Sequence, residues 1–217
     1  MKAVVFDMDG TILDTLEDLR SSVNHALRLH GLPERSSREV RSFLGSGMIK
    51  LVHRAVPEGT DAETEAAVLE AHKAYYPKHC AEQTRPYPGI CELLKCLRDA
   101  GIKTAVVSNK SDENVKALVR EYFDGLFTVA VGAREGVPRK PSPELMQIAL
   151  KELGVTKEEA LYVGDSDVDV DTAKQAGLRM ITVLWGFRDK EELIEAGAET
   201  FAEDSRELKE LLFAQIG

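Results

Sequence analysis

Positive charge is scarce in this sequence. Its 28 lysines and arginines are outnumbered by 37 aspartates and glutamates, for a formal net charge of −9. That balance argues against nucleic acid or an anionic membrane as the main partner. An anionic ligand would need local compensation, from a metal ion or a well-placed lysine. Long apolar runs are missing as well: the longest are strand-sized, so no segment is expected to span a bilayer. Cysteine is sparse, with Cys80 alone, Cys91 and Cys96 within one predicted helix, and no CxxC spacing. An odd count without a ligand pattern fits reduced thiols in a cytoplasmic protein, and Cys91 and Cys96 are expected in the core rather than reactive. His25, His30, His53, His72 and His79 make no ligand pattern either and are expected to be structural or exposed. Internal repeats and low-complexity tracts are absent. The chain as given opens almost at once on an apolar strand, so no signal peptide is expected.

What remains is an ordinary composition, 43% hydrophobic and 30% charged over 217 residues, enough for one large domain or a core with a modest insertion. The stretch around which the rest is organised comes first: Val4-Val5-Phe6-Asp7-Met8-Asp9-Gly10-Thr11. Side chains at i and i+2 of a strand share a face, so Asp7 and Asp9 can address one point at the strand's carboxyl end. Carboxylates that close repel each other and normally hold a cation or share a proton. Taken alone, Asp-x-Asp-Gly also reads as a plain turn.

After this strand the periodicity predicts a helix from Leu16 to Leu27, stopped by Gly31 and Pro33. Only helices follow to about Ala81: one capped by Ser37 and ending near Leu44, one over Met48 to Val56, and one capped by Asp61 and running to Tyr76. From Pro86 the pattern alternates. Helices are predicted at Ile90 to Ala100, Asp112 to Tyr122, up to Leu153, up to Ala176, Lys190 to Ala196 and from Ser205. Strands are predicted at Ile102 to Val107, Leu126 to Val131, Ala160 to Val163 and Met180 to Leu184. Alternating strands and helices specify an α/β fold, a Rossmann-like doubly wound parallel sheet covered on both faces. The expected division is a core of residues 1–14 and 82–217 around an inserted all-helical domain, 15–81. In such sheets ligands bind beyond the carboxyl ends of the strands, and every unusual polar cluster lies at one: Asp7/Asp9, Ser108-Asn109, Asp165/Asp169, with Lys140 in a proline-rich turn.

With DMDGT, SNK, the lysine of RKPSPE and GDSDVD in that order after the right strands, the sequence resembles the haloacid dehalogenase-like hydrolase superfamily across essentially its whole core. The resemblance implies a phosphate ester hydrolysed through an aspartyl-phosphate. Asp7 would be the nucleophile, and Asp9 would protonate the leaving group and then activate water. Mg²⁺, a hard cation suited to oxygen ligands, would be held by Asp7, Asp165 and the carbonyl of Asp9. Lys140 would neutralise charge beside Asp7. Thr11, Ser108 and the Asn109 amide would hold phosphate oxygens, and Asp169 would orient the metal's surroundings or Lys140 from behind. Against this stand blander readings: Lys140 beside two prolines reads as a surface lysine, and Asp167 and Asp171 as solvated or helix-capping charges. A calcium loop over Asp165 to Ala176 fails, because Val170 and Ala176 stand where Gly and Glu are needed.

The helical insertion resembles the family's C1 cap. Leu44-Gly45-Ser46-Gly47, Ser108-Asn109-Lys110 and Trp185-Gly186-Phe187 look most like the phosphoglycolate phosphatases. Backbone amides at Gly45, Ser46 and Gly47, at a helix start, would suit a substrate carboxylate, although the same glycines suit a tight helix–helix turn equally well. Asp9 argues against dehalogenase and phosphonoacetaldehyde hydrolase chemistry, where that position is not acidic. Glu17-Asp18-Leu19 lacks the histidine of the hexose-phosphate mutases. Pyrophosphate or broad sugar-phosphate hydrolysis stays open. A non-catalytic binding module would be expected to have lost a motif, and none is lost. The expected partner is a small-molecule phosphate ester acted on by a monomer or homodimer.

Overall fold

A computed structural model describes residues 1–215. The chain divides into two compact units: Met1–Leu13 together with everything from Pro86 onward, and Asp14–Arg85.

Among the described residues, the first unit is built on a six-stranded sheet in the order β5-β4-β1-β6-β7-β8, every neighbouring pair parallel. The strands are β1 (Ala3–Phe6), β4 (Lys103–Ser111), β5 (Val129–Ala133), β6 (Ala160–Gly164), β7 (Arg179–Val183) and β8 (Phe201–Ala202). Two short strands, β2 (Leu13–Asp14) and β3 (Arg85–Pro86), pair where the chain leaves and re-enters this unit. Every residue of β1 is buried, as a central strand covered on both faces requires. The chain proceeds from β1 outward through β4 and β5, then returns to the other side of β1 for β6, β7 and β8. Strand order therefore reverses beside β1, the place where such sheets bind ligands. Helices cover the faces: α5 (Ile90–Asp99), α6 (Asp112–Phe123), α7 (Glu144–Leu153), α8 (Asp167–Ala176), α9 (Lys190–Glu195) and α10 (Ser205–Phe213). Tyr162, Val5, Val107 and Val131 pack with Leu145, Met146, Ala149 and Leu153 of α7 in one hydrophobic cluster.

Three strands and two cysteine positions differ from expectation. Strand β5 starts at Val129, later than Leu126, because Leu126 closes the turn after α6: its N–H donates to the Phe123 carbonyl and its own carbonyl accepts from Thr104 Oγ1. Strand β4 runs on to Ser111 with a register irregularity after Val107, so the Ser108-Asn109-Lys110 cluster is part of the strand's end. Strand β8 has two residues, too short for a periodicity to show. Cys91 and Cys96 lie half-buried, outside the core, because the buried stripe of α5 is Ile90, Leu93, Leu94 and Leu97 and they flank it. Burial still raises the Cys91 thiol above its ordinary value.

The second unit is helical: α1 (Leu16–Leu29), α2 (Ser37–Phe43), α3 (Met48–Ala55) and α4 (Ala62–His79). The cap of α2 is Ser36 rather than Ser37, in a capping box with Glu39; the box needs an acceptor three residues on, which Ser36 has. Asp61 caps α4 through the Thr64 N–H. Buried Asp18 accepts from the main-chain N–H groups of Gln83 and Thr84, tying that segment into the unit. His72 is buried against Ser22, His25 and His79 stack on either side of Tyr75, and His53 pairs with Glu65. Among the described residues no helix is long and apolar enough to cross a membrane.

Candidate functional site

The ends of β1, β4 and β6 bring most of the expected residues together. Lys140 reaches in from the turn before α7, and it is buried rather than on the surface. Its ammonium donates to Asp7 Oδ1 at 2.7 Å, Asp169 Oδ1 at 2.8 Å and Tyr162 OH at 2.9 Å. Three donors meet three acceptors, which offsets the loss of hydration.

The side chain of Asn109 holds this lysine's backbone from both sides: Nδ2 donates to the Lys140 carbonyl and Oδ1 accepts from the Lys140 N–H. Its side-chain amide is thus committed to placing Lys140. Ser108 Oγ accepts from the Lys110 N–H at 3.2 Å. Lys110, which sequence reasoning passed over as a mere third letter of its motif, is buried and pairs with Asp9 Oδ1 at 3.1 Å.

Asp165 is gripped at both oxygens. Oδ1 accepts from Thr11 Oγ1 and Oδ2 from the Phe187 N–H, each at 2.8 Å. Thr11 is therefore a brace for Asp165, its hydroxyl turned to that carboxylate rather than presented to a ligand. Trp185 Nε1 in turn donates to the Thr11 carbonyl at 3.0 Å. Gly10, at φ 90°, and Gly186 lie against Asp165; a Cβ on Gly186 would meet Asp165 Cβ at 2.2 Å. Gly186→Ala is expected to push Asp165 out of place, cost about 1–3 kcal/mol of stability, and abolish any rise in Tm on adding a divalent cation. An unchanged metal-induced rise in a thermal-unfolding comparison would refute that dependence.

Asp169 is saturated. Oδ1 accepts from Lys140 and Tyr162, and Oδ2 from the N–H groups of Asp165 and Ser166 and from Ser166 Oγ. Asp7, Asp165 and Asp169 offer oxygens within 4.8 Å of one another; the five contacts on Asp169 leave it as a brace, while Asp7 and Asp165 accept fewer bonds and keep lone pairs that a cation could use. Asp167 forms an ion pair with Arg188; Asp171 is exposed at the surface.

Electrostatics point the same way. Burial, then the neighbouring Asp169, lifts Asp7 well above the usual carboxylate range, outweighing Lys140. Burial and Asp169 likewise push Asp165 up to about 7. Burial would raise Asp169 too, but Lys140 and its other donors hold it low. Burial opposes charge on Lys140, yet Asp169 and Asp7 outweigh it and keep the ammonium charged. Tyr162 is held neutral by burial and by Asp169. The cluster thus carries more buried carboxylate than one ammonium can neutralise. Closely set hard oxygen donors fit a small divalent cation, which would take the place of the protons.

Gly45, Ser46 and Gly47 belong to the helical unit. They form the turn between α2 and α3, and Gly45 and Gly47 adopt φ 102° and 82°, values that a residue with a Cβ rarely takes. The turn reading accounts for both glycines. Tyr162, Lys110 and the Trp185–Phe187 loop are additional members of the site's surroundings. Tyr162 gave no signal, being one more apolar-looking position in ALYVG, whereas Lys110 stands next to two residues already singled out.

The haloacid dehalogenase-like hydrolase family profile matches residues 4–183. Phosphoglycolate phosphatase of Chromobacterium violaceum is 33% identical over 220 residues, covering 98% of this chain and 96% of that protein. Phosphoglycolate phosphatase 1 of Pseudomonas aeruginosa is 32% identical over 214 residues, 95% and 78% of the two chains. A crystal structure from Lactobacillus delbrueckii subsp. bulgaricus superposes with a TM-score of 0.93 at 37% identity, covering 97% of this chain and 98% of that one. CbbY from Rhodobacter sphaeroides, solved in complex with phosphate, has a TM-score of 0.77 at 29% identity, covering 100% and 96%.

Proposed function

The chain belongs to the haloacid dehalogenase-like hydrolase family, and on that premise we propose that it is a Mg²⁺-dependent phosphatase whose substrate is 2-phosphoglycolate. The observation that carries the catalytic part is the buried Asp7, bonded to Lys140 and clustered with Asp165. The substrate part rests on the names of its relatives.

In this reading an Asp7 oxygen attacks phosphorus while the bond to the ester oxygen breaks. Asp9 gives its proton to that oxygen, so glycolate leaves as a neutral hydroxyl. Water then attacks the phosphorus of the aspartyl-phosphate, Asp9 takes the water's proton, and Asp7 is released with inorganic phosphate. A carboxylate cannot approach a phosphate dianion without help. Lys140 supplies one fixed positive charge, and its saturated contacts mean that nothing reorganises as charge moves. Asp7, Asp165 and the Asp9 carbonyl would hold Mg²⁺, which neutralises phosphate charge when bound. Ser108 Oγ and the Asn109 main-chain N–H would hold phosphate oxygens. Asp169, Tyr162 and Asn109 act at one remove, by fixing Lys140. The helical unit, residues 14–85, would serve as the cap that excludes water and selects the substrate.

The test is a set of initial rates on 2-phosphoglycolate, pyrophosphate, sugar phosphates and nucleoside monophosphates, with Mg²⁺ and with EDTA. A kcat/KM for 2-phosphoglycolate at least about tenfold above the rest, abolished by EDTA, is the expected result. A flat profile would reject the substrate; metal-independent turnover would reject the mechanism.

A further inference from the structure

Two buried lysines stand at this rim, and their engagements differ. Lys140 presents its three donors to Asp7, Tyr162 and Asp169. It serves the nucleophile and has no donor left for the leaving group. Lys110 instead pairs with Asp9, Nζ to Oδ1 3.1 Å, with its side chain 5% exposed. We propose that Lys110 selects substrates whose leaving group carries its own negative charge close to the ester oxygen.

The inference rests on the function proposed above, in which Asp9 serves the leaving oxygen. A group that hands over that proton must come within about 3 Å of the oxygen. A lysine beside the acid therefore lies beside the leaving group, with its ammonium at most about 6 Å from the ester oxygen when the same carboxylate oxygen meets both. In 2-phosphoglycolate one methylene separates the ester oxygen from a carboxylate. That carboxylate spans about half of the gap and brings its oxygens within range of a charge-assisted hydrogen bond to Lys110. In pyrophosphate the second phosphoryl group is directly attached and reaches the same place.

Repulsion adds to this selectivity. An anionic leaving group must approach a rim where Asp7, Asp165 and Asp169 are clustered, in a chain of net charge −9, and like charges at short range are costly away from bulk water. Lys110 cancels that cost for an anionic leaving group, and a neutral alcohol has no need of it. A lysine that only held the Asp9 carboxylate in orientation would affect all substrates alike, and that difference separates the two roles.

The experiment measures kcat and KM for the wild type, Lys110→Met and Lys110→Arg on 2-phosphoglycolate, pyrophosphate and ethyl phosphate, with saturating Mg²⁺. Methionine keeps the stem and removes the charge; Lys110→Gln makes the same comparison should Lys110→Met not fold. The preference of the wild type for the anionic leaving groups over ethyl phosphate is expected to fall about 10- to 100-fold in Lys110→Met, chiefly through KM. Lys110→Arg should restore most of it. Calorimetric binding of 2-phosphoglycolate to inactive Asp7→Asn, with and without Lys110→Met, should show a loss of similar size that ethyl phosphate does not.

Equal losses on all three substrates would overturn the inference. So would a preference for 2-phosphoglycolate that survives in Lys110→Met, which would keep the proposed substrate and move its carboxylate receptor elsewhere, with the Gly45–Gly47 turn next in line. A wild type that favours pyrophosphate and loses that preference in Lys110→Met would support the inference and reject 2-phosphoglycolate. A wild type that hydrolyses ethyl phosphate as well as the other two would overturn both.

Discussion

Asp7→Asn is expected to lower kcat by on the order of 10⁴- to 10⁶-fold while the protein stays folded. Asparagine matches aspartate in size and cannot form an acyl-phosphate by this route. The variant should be no less stable than the wild type at neutral pH. Asp7 is a buried carboxylate set against Asp169 and Asp165, and those like charges and its burial outweigh the pull of Lys140. Removing the charge relieves that repulsion, at the expense of one ion-pair partner for a lysine that keeps Asp169. Single-turnover kinetics on 2-phosphoglycolate, together with thermal unfolding, would check both halves. Turnover within tenfold of the wild type would refute Asp7 as nucleophile. Lost turnover with a collapsed Tm would show that Asp7 is needed for folding instead.

Lys140→Met should have the largest effect on stability, about 3–5 kcal/mol, because breaking a buried ion pair from one side strands the other charge. Here it strands two carboxylates, Asp7 and Asp169, and leaves the Tyr162 hydroxyl without its donor. The cost should depend on pH and metal in a defined direction. Asp7 and Asp165 have folded pKa values raised above those of an unfolded chain, Asp165 to about 7. Between roughly pH 4, where free aspartate titrates, and 7, the native state holds more protons than the unfolded state. Stability of the metal-free protein therefore falls as pH rises through that window, by on the order of a few kcal/mol from this source.

Mg²⁺ bound as proposed would replace those protons, so its stabilising effect should be greater at pH 8 than at pH 5.5. Lys140→Met should steepen the decline, since Asp7 and Asp169 then lose the lysine that pairs with both. Thermal unfolding in EDTA and in Mg²⁺ at both pH values, referred to Asp165→Asn to remove the contribution of other groups, would measure this. A metal-free wild type that gains stability relative to Asp165→Asn on going from pH 5.5 to 8 would contradict the sign.

These predictions rest on two kinds of information. The linear sequence determined the architecture and, through its motifs, the hydrolase family. Alternating apolar strands and amphipathic helices can only form a covered parallel sheet, and a carboxylate pair directly after an apolar strand lies at that strand's carboxyl end whatever follows. Asp7, Asp9 and Asp165 were legible because carboxylates directly after apolar strands stand out, whereas Lys140 read from its neighbours as a surface lysine and was marked only by the family resemblance. Cys91 and Cys96 were expected in the core, and the structure left them half-buried beside the stripe of Ile90, Leu93, Leu94 and Leu97.

Only the tertiary structure decided which groups bond to which. Lys140 and Asp7 are 133 residues apart, and no periodicity relates them. Thr11 became a brace for Asp165 because its hydroxyl meets that carboxylate across 154 residues. Asp169 turned out to be saturated, and Tyr162 proved to be a partner of Lys140, for the same reason: a side chain's role depends on which donors and acceptors surround it in space. Lys110 shows the division most plainly. The sequence placed it beside Ser108 and Asn109, and only the folded chain put its ammonium against Asp9.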